Sequence, residues 1–236
     1  MSTLPVVLVP GMLCDADLWT EIRSGLDADT VIASIDATTI GAMAEQVLAS
    51  VEGPFVLAGL SLGAIVGFEV LRTAPERVTG FCALSTNAGA PTIIQHRTWY
   101  RMAAQCTSGD FEQIVRDILP TMFADETPPP SLANRFTAMA ARVGPVVLRR
   151  QLAAQCTRVG AIPELRNVTC PTLVVSATRD QLCPDYFHRD IADAVPRSRL
   201  EHLHGAGHLS VWEQPVEIAR MINGWLPAIS ESITQE

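Results

Sequence analysis

Three residues of this chain have the types and spacing for nucleophilic catalysis at a carbonyl. They are Ser61 in Gly59-Leu60-Ser61-Leu62-Gly63, Asp180 after Thr178-Arg179, and His208 at the end of His204-Gly205-Ala206-Gly207-His208. A serine hydroxyl is a weak nucleophile until an imidazole takes its proton, and the imidazole works only when an acceptor on its other nitrogen fixes the tautomer. In that division of labour Ser61 attacks, His208 is the base and Asp180 the orienting acid. His202 and His204 compete with His208 for the base, and Asp185 competes with Asp180 for the acid. Acyl chemistry also needs donors where negative charge develops on oxygen. The Leu62 N–H, opening a helix, is one candidate; the turn after the first strand offers the Met12 N–H, with Leu13 as the alternative.

The elements around these residues must deliver them to one place. Residues 55–69 begin as a short apolar run and continue with apolar residues at helical spacing, so the pattern is a buried strand turning sharply into a helix with Ser61 on the turn. Residues 5–9 are an apolar, β-branched run stopped by Pro10-Gly11, which puts Gly11-Met12-Leu13 at a strand's carboxyl end. Strand and helix then alternate: a helix over 17–26, a strand over 30–35, a helix over 40–51, the Ser61 unit, and a strand over 78–84. This is the pattern of parallel βαβ units. The alternation resumes with a strand over 172–177 that runs straight into Asp180, a helix over 186–194, and a strand over 199–203 leading to His208. His202 alternates with apolar neighbours on that last strand, which suits a structural role. A final helix begins near Pro215, and the polar residues beyond 227 read as a frayed end.

Between residues 86 and 162 the alternation stops. Helical patterns over 99–105, 111–119, 132–143 and 146–156 are separated by Gly109, Pro128-Pro129-Pro130 and Gly144-Pro145. An all-helical insertion between two core strands has the character of a lid. Its Trp99, Met102, Met122, Phe123, Phe136 and Met139 divide between helix packing and a pocket. Trp99, Met122, Phe123, Phe136 and Met139, with Leu13, are the candidate substrate-binding residues. The organisation expected is an α/β core of residues 1–86 and 162–236 with a helical cap of residues 87–161.

A chain of 236 residues with net charge −8 and no lysine is a poor partner for nucleic acid, and it has no apolar run long enough to span a bilayer. Residues 1–10 lack the features of a secretory signal, so the expectation is a cytoplasmic protein. Cys14, Cys82, Cys106, Cys156, Cys170 and Cys183 show no metal-binding spacing and read as reduced thiols. Cys14 and Cys183 lie close in sequence to candidate site residues, which leaves open whether either borders the pocket. The residues call for no cofactor and no metal; the expected partner is a small ester-like molecule, and the oligomeric state is not encoded in any visible motif.

The order serine, acid, histidine on three strand ends resembles the α/β-hydrolase superfamily, in particular small bacterial serine esterases and acyl hydrolases with a helical cap. The resemblance covers nearly the whole chain. It rests on Val9-Pro10-Gly11 with Trp19 downstream, on Gly59-Leu60-Ser61-Leu62-Gly63, on the strand end at Asp180, and on Gly207-His208 followed by Glu213-Gln214-Pro215. It implies a mostly parallel sheet with helices on both faces. Relatives open with two extra strands for which this chain has no room, so six strands are expected. Relatives have His-Gly where this chain has Pro10-Gly11, and a glycine- and proline-rich loop where it has Asp36-Ala37-Thr38-Thr39, leaving one pocket wall more open. The resemblance excludes haloalkane dehalogenase and epoxide hydrolase chemistry, which need an aspartate at Ser61, and hydroxynitrile lyase chemistry, which needs a lysine. It implies hydrolysis of a small-to-medium carboxylic ester, thioester or lactone. Carbon-carbon bond hydrolysis, acyl transfer, perhydrolysis and a receptor-like binder with little turnover are the alternatives.

Overall fold

The computed structural model describes residues 4–229; residues 230–236, in the stretch expected to fray, lie outside them. The chain runs through β1 (Val6–Val9), α1 (Thr20–Gly25), β2 (Thr30–Ile32), α2 (Ile40–Ala49), β3 (Phe55–Leu60), α3 (Leu62–Thr73) and β4 (Val78–Leu84). Then come α4 (Ile93–Ser108), α5 (Phe111–Ile118), α6 (Pro130–Gln155) and α7 (Ile162–Leu165). It closes with β5 (Thr172–Ala177), α8 (Asp185–Ala194), β6 (Ser198–Leu203), α9 (Ser210–Glu213) and α10 (Pro215–Trp225). Among the described residues six strands form one parallel sheet in the order β2-β1-β3-β4-β5-β6.

Every residue of β1, β3 and β5 is buried, the signature of parallel strands covered by helices on both faces. The two edges are blunted differently. β2 is three residues long, shorter than the strand expected over 30–35, and β6 carries the pair Arg199 and Glu201. Each sheet face has its own apolar cluster: one joins Trp19, Leu60, Leu84, Phe123, Phe136 and Trp225, the other Met43, Phe55, Leu57, Phe68 and Phe81. Complete burial of side chains this size stabilises by about 1.5–3 kcal/mol each.

The chain leaves β1 toward β2 on one side, then crosses to β3 on the other. This reversal is a switch point, where the loops beyond adjacent strand ends diverge and open a crevice. Because Val9 pairs with Gly59, the turns after β1 and β3 stand side by side at that crevice.

Some helices differ from the sequence expectation. α4 begins at Ile93 rather than near 99, because Thr92 and Gln95 close a reciprocal capping box at its start. The two helices expected over 132–143 and 146–156 are one α6 bent at Gly144, whose φ of 74° and ψ of 170° interrupt it just before Pro145. The limbs bury Phe136, Met139 and Ala140, and then Leu148, Gln151 and Leu152. The short α7 and α9 were not expected, being too brief to show a periodicity. Among the described residues no helix is long and apolar enough to cross a membrane.

The sharpest packing constraint is at Gly63. A Cβ there would sit 2.2 Å from the Val9 carbonyl oxygen, backbone that cannot yield without moving β1. Gly63→Ala is therefore expected to lower stability by about 2–3 kcal/mol in urea denaturation. Gly224→Ala, in α10 with nothing within 4 Å of its added carbon, should be neutral or stabilising by up to about 1 kcal/mol. Equal stability of the two variants would contradict this packing.

Candidate active site

Ser61 sits between β3 and α3 with φ 55° and ψ −113°, a conformation that costs a residue with a Cβ about 1–3 kcal/mol. The surroundings hold it there. Its N–H donates to the Leu84 carbonyl at 2.9 Å, and its carbonyl accepts from the Thr86 hydroxyl at 3.0 Å and from the Ala64 and Ile65 N–H groups at 3.1 Å. Gly59 and Gly63 make the reversal possible, since a Cβ on Gly59 would come within 2.5 Å of Ala64 N. The serine remains partly exposed.

Asp180 lies three residues past β5, its N–H bonded to the Ala177 carbonyl. One carboxylate oxygen accepts the Leu182 and Cys183 N–H groups at 2.9 Å, and the other meets His208 Nδ1 at 2.9 Å. Both residues are buried, at 6% and 4% exposure. Burial works to raise the Asp180 pKa, but His208 and the two N–H donors outweigh it and hold the carboxyl below the usual range. The carboxylate makes Nδ1 the protonated nitrogen and leaves Nε2 with the lone pair a base needs.

The competing pair is brought together separately. His202 Nε2 lies 2.8 Å from Asp185 Oδ1, which also accepts from the Ser176 hydroxyl; Ser176 and His202 are register partners in the sheet. His204 is exposed, and its carbonyl accepts from Gln214.

The turn after β1 lies against the serine: a Cβ built on Gly11 would stand 3.5 Å from the Ser61 Cβ. Leu13 adopts φ 61°, and its N–H donates to Gln151 Oε1 at 3.1 Å, so the alternative donor is already engaged. Among the described residues the N–H groups of Met12 and Leu62 have no acceptor. Leu13, Trp99, Met122, Phe123, Phe136 and Met139 are all buried in one apolar cluster with Leu60, Leu84 and Leu209. Phe123 and Phe136 meet edge to face at 6.5 Å.

Four residues that support this region were not singled out for it in the sequence. Glu213 bridges the Gly207 N–H at 2.7 Å and the Ala124 N–H at 2.9 Å, tying the histidine loop to the segment after α5. His188 accepts the Thr86 N–H at 3.1 Å, which places its proton on Nδ1. Arg158, 6% exposed, donates to the Asn87 side chain at 2.7 Å and the Gly89 carbonyl at 2.8 Å and so fixes the loop after β4. Gln151 is the fourth. Its polar side chain within the stripe Leu148, Gln151, Leu152 was a readable signal.

Cys183 reaches the site: its sulfur and donor atoms of Asp180 and His208 lie within 4.8 Å of one another. Burial pushes the Cys183 and Cys14 thiols far up, so both stay protonated. Within the group of Cys183, Asp180 and His208, the last two are bonded to each other.

A family model described as the alpha/beta hydrolase family matches residues 6–221. The "Putative non-heme bromoperoxidase BpoC" of Mycobacterium tuberculosis is 25% identical over 170 residues, covering 69% of this chain and 64% of its own length. The chain thus spans less than two thirds of that relative. The pimeloyl-[acyl-carrier protein] methyl ester esterase of Citrobacter koseri is 24% identical over 237 residues, covering 92% of this chain and 91% of its own. Among solved structures, a malate-bound thermophilic esterase from Thermogutta terrifontis superposes with a TM-score of 0.86 and 25% identity, covering 97% of this chain and 91% of its own.

Burial moves the His188 pKa from 6.5 to about 4. Between those values the unfolded chain binds a proton that the folded chain refuses, so stability falls as pH drops from about 6.5 toward 4. Between pH 7 and pH 5 the wild type should lose about 2 kcal/mol more than His188→Gln, whose amide can still accept from Thr86. Parallel urea curves for the two proteins at both pH values would refute this.

Proposed function

The chain belongs to the alpha/beta hydrolase family, and we propose that it is a serine hydrolase cleaving a small-to-medium carboxylic ester, thioester or lactone through an acyl-serine intermediate. The observation that carries the reading is the buried His208–Asp180 contact of 2.9 Å at the same sheet edge as the strained Ser61 turn. Ser61 attacks the carbonyl while His208 Nε2 takes its proton. Asp180 keeps the imidazole in the required tautomer and stabilises its charge. The Met12 and Leu62 N–H groups receive the oxyanion, Leu62 with the added field of the α3 terminus. His208 then protonates the leaving group, and water, activated by the same base, releases the acid.

Residues 87–161 act in this reading as a cap. Its apolar side chains, continuous with the cluster beneath, favour an acyl or alcohol portion without charge. The choice of ester-like bonds is supported by esterases among the similar proteins.

The test is intact-protein mass after brief exposure to a fluorophosphonate, followed by p-nitrophenyl esters from acetate to octanoate. One adduct on Ser61 with turnover is expected. Ser61→Ala should remove the adduct and lower kcat by roughly 10⁴- to 10⁶-fold; activity within tenfold of wild type would sink the assignment. Asp180→Asn should lower kcat by about 10³- to 10⁴-fold with the fold intact. Asp185→Asn, whose carboxylate serves His202 and Ser176, should stay within a few-fold. The reverse ranking of the two asparagine variants would move the acid to Asp185.

A further inference from the structure

We infer that Gln151 is a positioning residue for the oxyanion turn, through which α6 holds that turn in its working shape; this rests on the acyl-serine reading above. Gln151 lies in the second limb of α6 and is 1% exposed. Its amide spans the exits of two paired strands. Oε1 accepts the Leu13 N–H at 3.1 Å beyond β1, and Nε2 donates to the Ile35 carbonyl at 3.3 Å beyond β2. Only one orientation of the amide serves both, since the first group is a donor and the second an acceptor. Packing alone does not call for glutamine on a stripe with Leu148 and Leu152. A leucine would fill such space without two polar groups to satisfy.

The bond acts on Met12 through the chain. Leu13 has φ 61°, and the turn closes behind it with the Cys14 N–H on the Gly11 carbonyl. Holding the Leu13 N–H fixes this reversal and commits that donor, leaving the Met12 N–H beside it without an acceptor among the described residues. The other limb of α6 grips the far flank. Arg142 binds Asp15 and Asp17 at 2.7 and 3.2 Å, and Arg135 binds Asp17 at 2.9 Å. The bend at Gly144 separates the two grips, so one helix holds the turn from both sides.

Gln151→Met keeps the length of the side chain and removes the amide. Per phosphonate-titrated Ser61, its kcat on a p-nitrophenyl ester should fall about 10- to 100-fold, the scale of a misplaced oxyanion donor, with KM changed less than about threefold. Affinity for a boronic acid, whose serine adduct places an oxygen in the oxyanion position, should fall by the same factor, while affinity for the product carboxylate stays near wild type. A role confined to folding would lower the titratable fraction and leave kcat per titrated site unchanged. Should Gln151→Met not fold, Gln151→Asn, too short to span both strand exits, should give the same division between kcat and KM. Wild-type labelling and turnover with kcat per site in the variant within threefold would overturn this inference alone. Absence of a Ser61 adduct in the wild type would overturn the acyl-serine reading, and this inference with it.

Discussion

The structure depends on one close approach of backbone to backbone, where the first turn of α3 lies against the end of β1. Gly63 allows it, because any side chain there would occupy the Val9 carbonyl. Three features of the fold meet at that contact. The helix can start directly after β3, so Ser61 is forced into positive φ. The turns after β1 and β3 are held side by side, which sets Gly11 against the serine. The strand order also reverses here, the place where an open α/β sheet meets its ligands, and it is where the candidate residues stand.

Charge is handled by a related economy. Asp180 is buried yet ionised because an imidazole and two backbone N–H groups solvate it in place of water. His188, equally buried but facing a peptide N–H, is kept neutral by desolvation. Two histidines at the same sheet edge are thus set apart by what their nitrogens meet: His208 Nδ1 meets the Asp180 carboxylate, whereas His188 is a fixed acceptor that braces the Ser61 turn through Thr86. Asp185 and His202 repeat the carboxylate–imidazole contact between β5, β6 and α8, where the partners are partly exposed. The chemistry of the contact does not distinguish the two pairs; burial and place at the sheet edge do.

How much of this was legible in the sequence depends on the range of the interaction. The strands β4 and β5 match the expected bounds, because each carries an apolar stretch, Phe81 to Leu84 in β4 and Leu173 to Val175 in β5, within clear punctuation by turn residues. The serine turn and the strand end before Asp180 were legible for the same reason. Strand-end position already favoured Asp180 and His208 over Asp185, His202 and His204, but that Asp185 and His202 pair with each other was not legible, since they meet only through sheet register. The α6 bend was half legible: Gly144-Pro145 announces an interruption, but whether two helices separate or one bends is decided by packing of both limbs. Glu213, Arg158 and Gln151 act across 89, 71 and 138 residues of sequence. No local pattern reveals a partner at that distance, although a glutamine on a leucine stripe shows that one must exist.

The proposed oxyanion donors explain why so much support converges on one turn. A donor that is to receive charge in a transition state cannot be satisfied by a protein group beforehand, and an unpaired, poorly solvated N–H costs about 1–3 kcal/mol. Left to itself, a turn carrying such a group would relax until the group found an acceptor. Around Met12 that relaxation is opposed on every side: Leu13 N–H is held by Gln151, Cys14 N–H by Gly11, Asp17 N–H by Asp15, and the acids beyond by Arg135 and Arg142. Most of these restraints are local, but the bond from Gln151 and the arginine pairs come from α6, within the inserted helices. On the acyl-serine reading, a helical insertion that encloses the substrate and also fixes the oxyanion turn would couple that enclosure to transition-state stabilisation. Changes in the insertion that alter what binds would then also alter how fast the bound molecule reacts.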